Sequence, residues 1–336
     1  MNRATVRDLA PGRDSYLREV DFIKAIAIIA VLCLHSLPVP VLLSILAPFH
    51  IWQAVPLFIM MAGFTANLTA GRRSDRSLAN FYSKTWFKRL GRRFLIPFIA
   101  IWLLEIVILG LSGKAVLGRV AGSLWRGGFG PGSYFIPLFF QHLLIFPLLL
   151  RFQERFVNRP VQLLVGFLLL ALGLDWGCRI MGIPEGLYRL LYVRYIFAAV
   201  LGGFIAGHRL GGKIVLPAVG LGALYIGLVS YRSLDLFFIY PAWSFQHAPA
   251  YFYTAGHFLF LWRSSSCCRF LDRLLLPLGR ASFHIFLFQM VWFWKVSRHI
   301  EAVVGGPGIA LLVNLLVCLG VGWLFYRLQW VSRPEP

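Results

Sequence analysis

The chain has 336 residues, and 59% of them belong to the Ala, Val, Ile, Leu, Met, Phe, Trp, Tyr and Cys set, well above the roughly 45–50% apolar share of ordinary globular chains. Only 14% are charged, where about 25% is usual, and the mean hydropathy is +0.73. So much apolar surface cannot be buried in one compact body with so few charges to cover it, which excludes a soluble enzyme, a disordered chain and a secreted disulfide scaffold and leaves lipid as the missing solvent.

The charge balance is 33 Lys and Arg against 13 Asp and Glu, a net +20. In a soluble chain this would suggest nucleic acid. Here the basic residues sit in short segments between apolar runs, with no separate basic domain or tail. That is how a polytopic membrane protein fixes its orientation, and no nucleic-acid partner is expected. The five cysteines (Cys33, Cys178, Cys267, Cys268 and Cys318) lie mostly inside or beside apolar runs without C-x-x-C spacing, so neither a disulfide framework nor a zinc site is expected.

The fold class expected is all-α, a membrane bundle of about ten spanning helices. In chain order they are Asp21–Leu37, Ile51–Leu68, Phe94–Ser112, Tyr134–Leu150, Val161–Leu174, Leu187–Gly207, Ile214–Val229, Ala248–Leu261, Ala281–Val296 and Ile309–Phe325. The fifth and eighth are short for a span. Val41–His50, bracketed by Pro40 and Pro48, reads as a re-entrant or interfacial piece. The first apolar run is longer than a signal-peptide core and no small-residue cleavage site follows Leu37, so this helix is expected to be retained. Residues 1–18 form a cytoplasmic segment, 19–330 the membrane domain and 331–336 a cytoplasmic tail. No internal repeat pairs the two halves.

Orientation follows from counting. With the N-terminus inside, 24 basic residues fall in inside segments, eight of them in the 70–93 loop, and 9 in outside ones, together accounting for all 33. Both termini are therefore expected in the cytoplasm.

Ionisable groups at membrane depth are costly and mark candidate functional positions. His35 follows Lys24 by eleven residues, three turns plus about 20°, so both project from one face of a helix, roughly 16 Å apart in rise. Asp21 lies fourteen before His35, about 40° off the same line. A neutral imidazole in a dry site suits general-base chemistry, and a cation three turns below suits a phosphate-bearing ligand. The alternative is that His35 bonds across helices and Lys24 snorkels. Glu105, read as the only carboxylate well inside a span, either pairs with and orients His35, lines a hydrophilic path, pairs with a buried Arg, or is protonated and structural. Arg89, Arg92 and Arg93, ahead of Phe94-Leu95-Ile96-Pro97, form either a phosphate clamp or an orientation signal. Gln141, His142, His284 and Gln289 are further intramembrane polar groups of the kind that glue helices together. Gly127-Gly128-Phe129-Gly130-Pro131-Gly132 lacks the Lys-Ser/Thr of a P-loop and reads as a flexible turn. No G-x-S-x-G, H-E-x-x-H or Asp-rich metal motif occurs, and no metal is expected.

Several segments in order resemble the acyltransferase-3 family of integral-membrane O-acyltransferases. Asp21-Phe22-Ile23-Lys24 through His35 is similar to that family's first-helix pattern of Asp, then Arg or Lys, ten residues, and His. Val55-Pro56-Leu57-Phe58-Ile59-Met60-Met61-Ala62-Gly63-Phe64 resembles its V-P-x-F-x-x-x-S-G-F segment, with Ala62 in place of Ser. Lys88-Arg89-Leu90-Gly91-Arg92-Arg93 resembles its Arg-rich approach to the third helix, and Tyr134-Phe135-Ile136-Pro137 with Gln141 its aromatic segment. Pro277-Leu278-Gly279-Arg280-Ala281-Ser282 through Gln289 resembles its late L-G-x-x-S-x-x-I-Y-L-x-H motif, with Gln289 in place of His. The likeness runs from about Tyr16 to Trp330.

The resemblance implies an enzyme moving an acyl group, usually acetyl, from cytoplasmic acyl-CoA to a hydroxyl of a surface or secreted glycan or glycolipid in the bacterial cytoplasmic (inner) membrane. It implies His35 as catalytic residue and Lys24, Arg89, Arg92 and Arg93 as supports of acyl-CoA binding; Lys24, Asp21 and Glu105, as ionisable groups at depth, are expected to join His35 in the catalytic set. Tyr134, Gln141, His142, Ser282 and Gln289 are expected on the acceptor side. The expected partners are the bilayer and the carbohydrate acceptor, with a homo-oligomer left open. The rival reading is an exporter or flippase of a glycan or lipid-linked sugar, favoured by the aromatic 231–253 segment with Tyr240, Trp243, Phe245, Tyr251, Phe252 and Tyr253, suited to sugar stacking.

Overall fold

The computed structural model describes residues 17–72, 77–114, 116–156, 158–208 and 212–331. The expected N-terminal segment and tail lie almost wholly outside these residues. Within them the chain is all-α, with no strand. The helices are α1 (Arg18–Ser36), α2 (Val39–Ser44), α3 (Ala47–His50), α4 (Ala54–Arg72), α5 (Leu78–Phe81), α6 (Lys84–Leu90), α7 (Ile96–Leu111), α8 (Leu117–Arg126), α9 (Phe135–Arg155), α10 (Pro160–Ile180), α11 (Glu185–Tyr188), α12 (Ile196–Gly207), α13 (Gly212–Tyr231), α14 (Ala250–Cys267), α15 (Asp272–Lys295), α16 (Ser297–Val304) and α17 (Pro307–Val331).

Every expected span contains a helix, but the count of ten is not established by length and apolarity. Among the described residues seven helical stretches are long and apolar enough to cross a bilayer: Ala47–Gly71, Leu78–Leu111, Phe135–Arg155, Pro160–Ile180, Lys213–Tyr231, Arg269–Lys295 and Pro307–Gln329. The short fifth span becomes the full-length α10 of 21 residues. The sixth shrinks to α12, whose 12 residues rise about 18 Å, well short of a ~30 Å hydrocarbon core. The expected re-entrant piece is two short helices, α2 and α3, broken at Leu46 in the left-handed region (φ 59).

The chain divides into two compact units. The first comprises Leu46–Phe81 and Leu138–Cys267 with the start of the chain. In it α12 packs along α4 and α10, and α13 lies against α14. All of Ile196–Ala206 is buried, so α12 is apolar on every side and runs through the middle of its neighbours. The close α4–α12 contact depends on two glycines. A Cβ at Gly63 would collide with Ala199 O, and one at Gly202 with Met60 O, so small residues let the two backbones meet.

The second unit comprises Asp21–Ile45, Tyr82–Pro137 and the chain from Cys268 onward. Here α15 packs on α17, α7 and α16. Gly279 of α15 touches α1 so closely that a Cβ would collide with Asp21 O. α7 is one-sided: Ile101, Glu105 and Leu109 are buried, whereas Leu103, Leu104 and Val107 are exposed as a lipid-facing stripe. Gly91–Leu95, between α6 and α7, is a π-helical turn. Pro97 just beyond explains it, because its ring cannot pack against a regular preceding turn. Such widened turns recur at functional sites, and this one carries Arg92 and Arg93. The connection between α7 and α9, outside every expected span, contains α8. Its Leu117, Leu124 and Trp125 are exposed along one face, while Ser123 on the other side accepts from Trp102 Nε1 at 3.0 Å.

Gly63→Val should lower the melting temperature in detergent by several degrees, since overpacking of this kind costs about 1–3 kcal/mol. Gly110→Ala, where a Cβ meets nothing within 4 Å, should leave melting unchanged or raise it.

Candidate active site

The second unit gathers most of the sequence-predicted site residues. His35 sits near the end of α1, half-buried, with its ring 5.6 Å from that of Phe293 on α15. Its Nε2 lies 3.5 Å from the point where a Cβ of Gly132 would stand, and so does Gln289 Nε2, with Phe286 Cε2 at 3.4 Å. One small space therefore has His35, Gln289 and Phe286 around it. Gln289 is fully buried. Its Nε2 donates to Pro131 O at 3.2 Å, which fixes the sense of the amide, and its Oε1 makes no hydrogen bond among the described residues.

The glycine-rich segment is correspondingly not the flexible turn expected. Glu105, fully buried on α7, accepts from the Phe129 N–H through Oε2 at 3.1 Å. A Cβ on Gly128 would lie only 2.7 Å from Glu105 Oε2 and from Met290 Cε, and one on Gly130 would collide with Met290 O. Gly128 and Gly132 also have φ +125 and +82, conformations that favour glycine. Phe129 stacks on Trp294 with ring centroids 5.1 Å apart. The segment is thus a close-packed strap between α7 and α15. Glu105 holds that strap, a structural role, which was one of the alternatives the sequence left open.

Toward the other end of α1, Asp21 is shared by two cations. Lys24 Nζ lies 3.2 Å from Oδ1, and Arg280 Nε of α15 lies 3.5 Å from Oδ2. The charge of Arg93 reaches Lys24, and those of Arg93, Arg280, Arg327 and Asp21 all reach the hydroxyl of Tyr326 on α17. Gln329 locks this end together: it donates to Arg92 O at 2.7 Å and is hydrogen-bonded to His284 Nε2. His284 is therefore packing glue, as its setting suggested. Arg89 and Arg92 are exposed on the same basic stretch, and Arg93 lies over the Phe94 ring. Tyr134 is half-buried just after the strap, and Ser282 is buried on α15.

Gln141 and His142 fall in the first unit and are spent on structure. Gln141 donates to Leu190 O at 2.7 Å and accepts from Tyr192 N at 3.1 Å. His142 is buried, with Nδ1 3.0 Å from the Tyr192 hydroxyl. The sequence reading missed a second buried carboxylate. Asp175, 3% exposed, lies inside α10, which runs beyond the Leu174 at which the expected span ended. Glu105 is therefore not the only carboxylate at depth. Asp175 accepts from Tyr188 Oη at 2.6 Å and pairs with His247 Nδ1 at 2.5 Å, while His247 Nε2 faces Ala242 O at 3.2 Å.

This network turns Tyr240, Phe245 and Tyr251 of the aromatic 231–253 segment against protein, while Tyr231 and Phe237 stay exposed. Tyr240 stacks on Tyr188 at 3.9 Å, the Phe245 ring lies tilted against Trp52 at 4.4 Å, and fully buried Tyr251 donates toward Arg194 O and Gln246 O. Those faces are occupied by protein and are not open for a sugar to stack on. At the margin, Arg179 grips Asp235 through both guanidinium nitrogens, at 2.6 and 2.8 Å, and holds its carboxyl below the usual range.

The family model for an acyltransferase domain, Acyl_transf_3, matches residues 17–327. That is nearly the whole chain. It belongs to the acyltransferase-3 family and is an integral-membrane acyltransferase. No curated protein and no solved structure matches it significantly.

Glu105→Ala should strand the buried Phe129 amide and cost about 1–3 kcal/mol of stability, whereas Glu105→Gln keeps an acceptor and should cost less; thermal unfolding compares the two. Asp175→Ala, which takes a shared buried acceptor from Tyr188 and His247, should cost about 1–3 kcal/mol, and Tyr188→Phe less by the same measurement.

Proposed function

We propose that this protein is an O-acyltransferase that moves an acetyl group from cytoplasmic acyl-CoA to a hydroxyl of a surface or secreted glycan or glycolipid, with His35 as general base, in a bacterial inner membrane. The observation that carries the reading is the single stripe of α1. Its imidazole faces the space at Gly132, and three turns below its Lys24 joins a cationic cluster. The donor's phosphates are held by Lys24, Arg89, Arg92 and Arg93, and its acyl end extends along α1 toward His35. Asp21 keeps Lys24 in place. Gln289 offers Oε1, a hydrogen-bond acceptor, to the hydroxyl-bearing substrate beside His35.

The chemistry balances without a metal step. His35 takes the proton of the acceptor hydroxyl as its oxygen attacks the thioester carbonyl carbon. The carbon–sulfur bond breaks, an ester forms, and the CoA thiolate leaves and recovers the proton from the imidazolium. Holding both reactants at one ring makes the reaction effectively unimolecular.

The test uses purified protein in lipid vesicles, radiolabelled acetyl-CoA and O-deacylated envelope glycan from the cells that make it. The wild type should label the glycan. His35→Ala should lower the rate by at least about 10²-fold, the lower range for loss of a general base, with insertion and melting unchanged. Full labelling by His35→Ala would end the assignment.

A further inference from the structure

The last helix of the second unit carries one amide on an otherwise small, apolar ridge. Along α17, Ala310, Asn314, Cys318 and Gly322 follow at intervals of four, so they share one face, and all four are buried. α15 packs against this helix, and a Cβ on Gly322 would lie only 2.5 Å from Ile285 Cα. Asn314 is fully buried. An amide at membrane depth is costly unless the bonds it can make are made.

Those bonds are made, and they run in one direction. Trp292 Nε1 of α15 donates to Asn314 Oδ1 at 2.8 Å. An indole nitrogen is a donor only, which fixes the sense of the amide. Asn314 Nδ2 therefore faces the hydroxyls of Ser36, at 3.3 Å, and Ser297, at 3.4 Å. Ser36 Oγ gives its own proton to Leu32 O at 2.8 Å, so toward Asn314 it accepts. The chain of donors passes from α15 through α17 into the backbone of α1, with α16 joined at Ser297.

The two ends of that chain adjoin the imidazole and its aromatic neighbour. Ser36 follows His35 on α1, and Trp292 precedes Phe293, whose ring lies 5.6 Å from that of His35. Hydrogen bonds have direction, whereas apolar burial does not. A hydrophobic side chain at position 314 would keep these helices together without fixing how they are rotated at this level.

We infer that Asn314 is a positioning residue for His35: by tying Ser36 on one side and Trp292 on the other, it sets α1 against α15 so that the imidazole meets the space at Gly132. Its bearing on catalysis rests on the reading of His35 as general base given above; the placement of the ring does not.

The experiment applies the labelled-acetyl assay to reconstituted Asn314→Leu, Trp292→Phe and Ser36→Ala. The control is Thr254→Val, which removes a buried hydroxyl that bonds Gln53 Oε1 at 2.9 Å in the first unit. Asn314→Leu should lower kcat roughly tenfold or more, as expected for a misaligned reacting group, with KM for acetyl-CoA within about twofold. Trp292→Phe and Ser36→Ala, each removing one bond, should lower kcat less and in the same sense. Thr254→Val should lower melting and leave kcat as it is. In a His35→Ala background Asn314→Leu should cause no further loss, because a residue acting through the ring has nothing left to position. The ring itself is read by NMR of histidine-labelled protein, its signals identified by their absence in His35→Ala; Asn314→Leu should shift them and Thr254→Val should not. Wild-type kcat in Asn314→Leu, an equal loss in both backgrounds, or unmoved His35 signals would overturn the proposal. If Asn314→Leu does not fold, Trp292→Phe and Ser36→Ala decide by the same criteria. Should His35→Ala label the glycan fully, the function proposed above fails, and the placement stands or falls on the His35 signals alone.

Discussion

One carboxylate on the first helix organises the second unit. Asp21 takes Lys24 from its own helix and Arg280 from α15, at a point where Gly279 brings the two backbones into contact. Without that charge Lys24 and Arg280 would repel each other across a helix contact that leaves no slack. A buried carboxylate is costly to desolvate and is tolerated here because it is paired twice. The stripe that runs from this pairing to His35 inherits its direction: α1 is fixed at its charged end, and the imidazole is carried to a defined place against α15.

At that place the backbone supplies the geometry. The strap through Gly128, Gly130 and Gly132 lies so close to Glu105, Met290 and His35 that side chains would not fit at the first two positions. Its amide and carbonyl groups find partners in Glu105 and Gln289, satisfying polar backbone that lipid would leave unpaired. Glu105 is thereby two steps removed from His35: it holds the strap, and the strap borders the ring. That explains how a fully buried carboxylate belongs to the site without facing it.

How much of this was legible in the sequence depended on whether the signal was periodic. The Lys24–His35 spacing could be read because a straight helix turns eleven residues into one face. Arg280 stood in plain view in the Leu278-Gly279-Arg280 motif, yet nothing local says that it meets Asp21, since that contact spans more than 250 positions in the chain and exists only once Gly279 is packed. The strap was misread for a related reason. Glycines signal conformational freedom in a sequence, and the same absent Cβ that permits a turn also permits close packing. Asp175 was lost to a boundary, because hydropathy falls where a charge enters a span, and α10 continues past it with the carboxylate turned inward.

The two buried polar clusters differ in a way that bears on where the chemistry resides. Around Asp175, the groups of Tyr188, His247 and Asp175 are spent on one another or on backbone carbonyls, and the aromatic rings above them are stacked face to face. Such a network specifies a fold and gives a ligand nothing to bind. In the second unit Gln289 Oε1 has no hydrogen-bond partner among the described residues, and Asp21 is shared by Lys24 and Arg280. Polar groups at membrane depth are expensive, so leaving some unsatisfied is tolerable only where a substrate completes them. An acceptor left open beside His35 is what the proposed transfer to a hydroxyl would use.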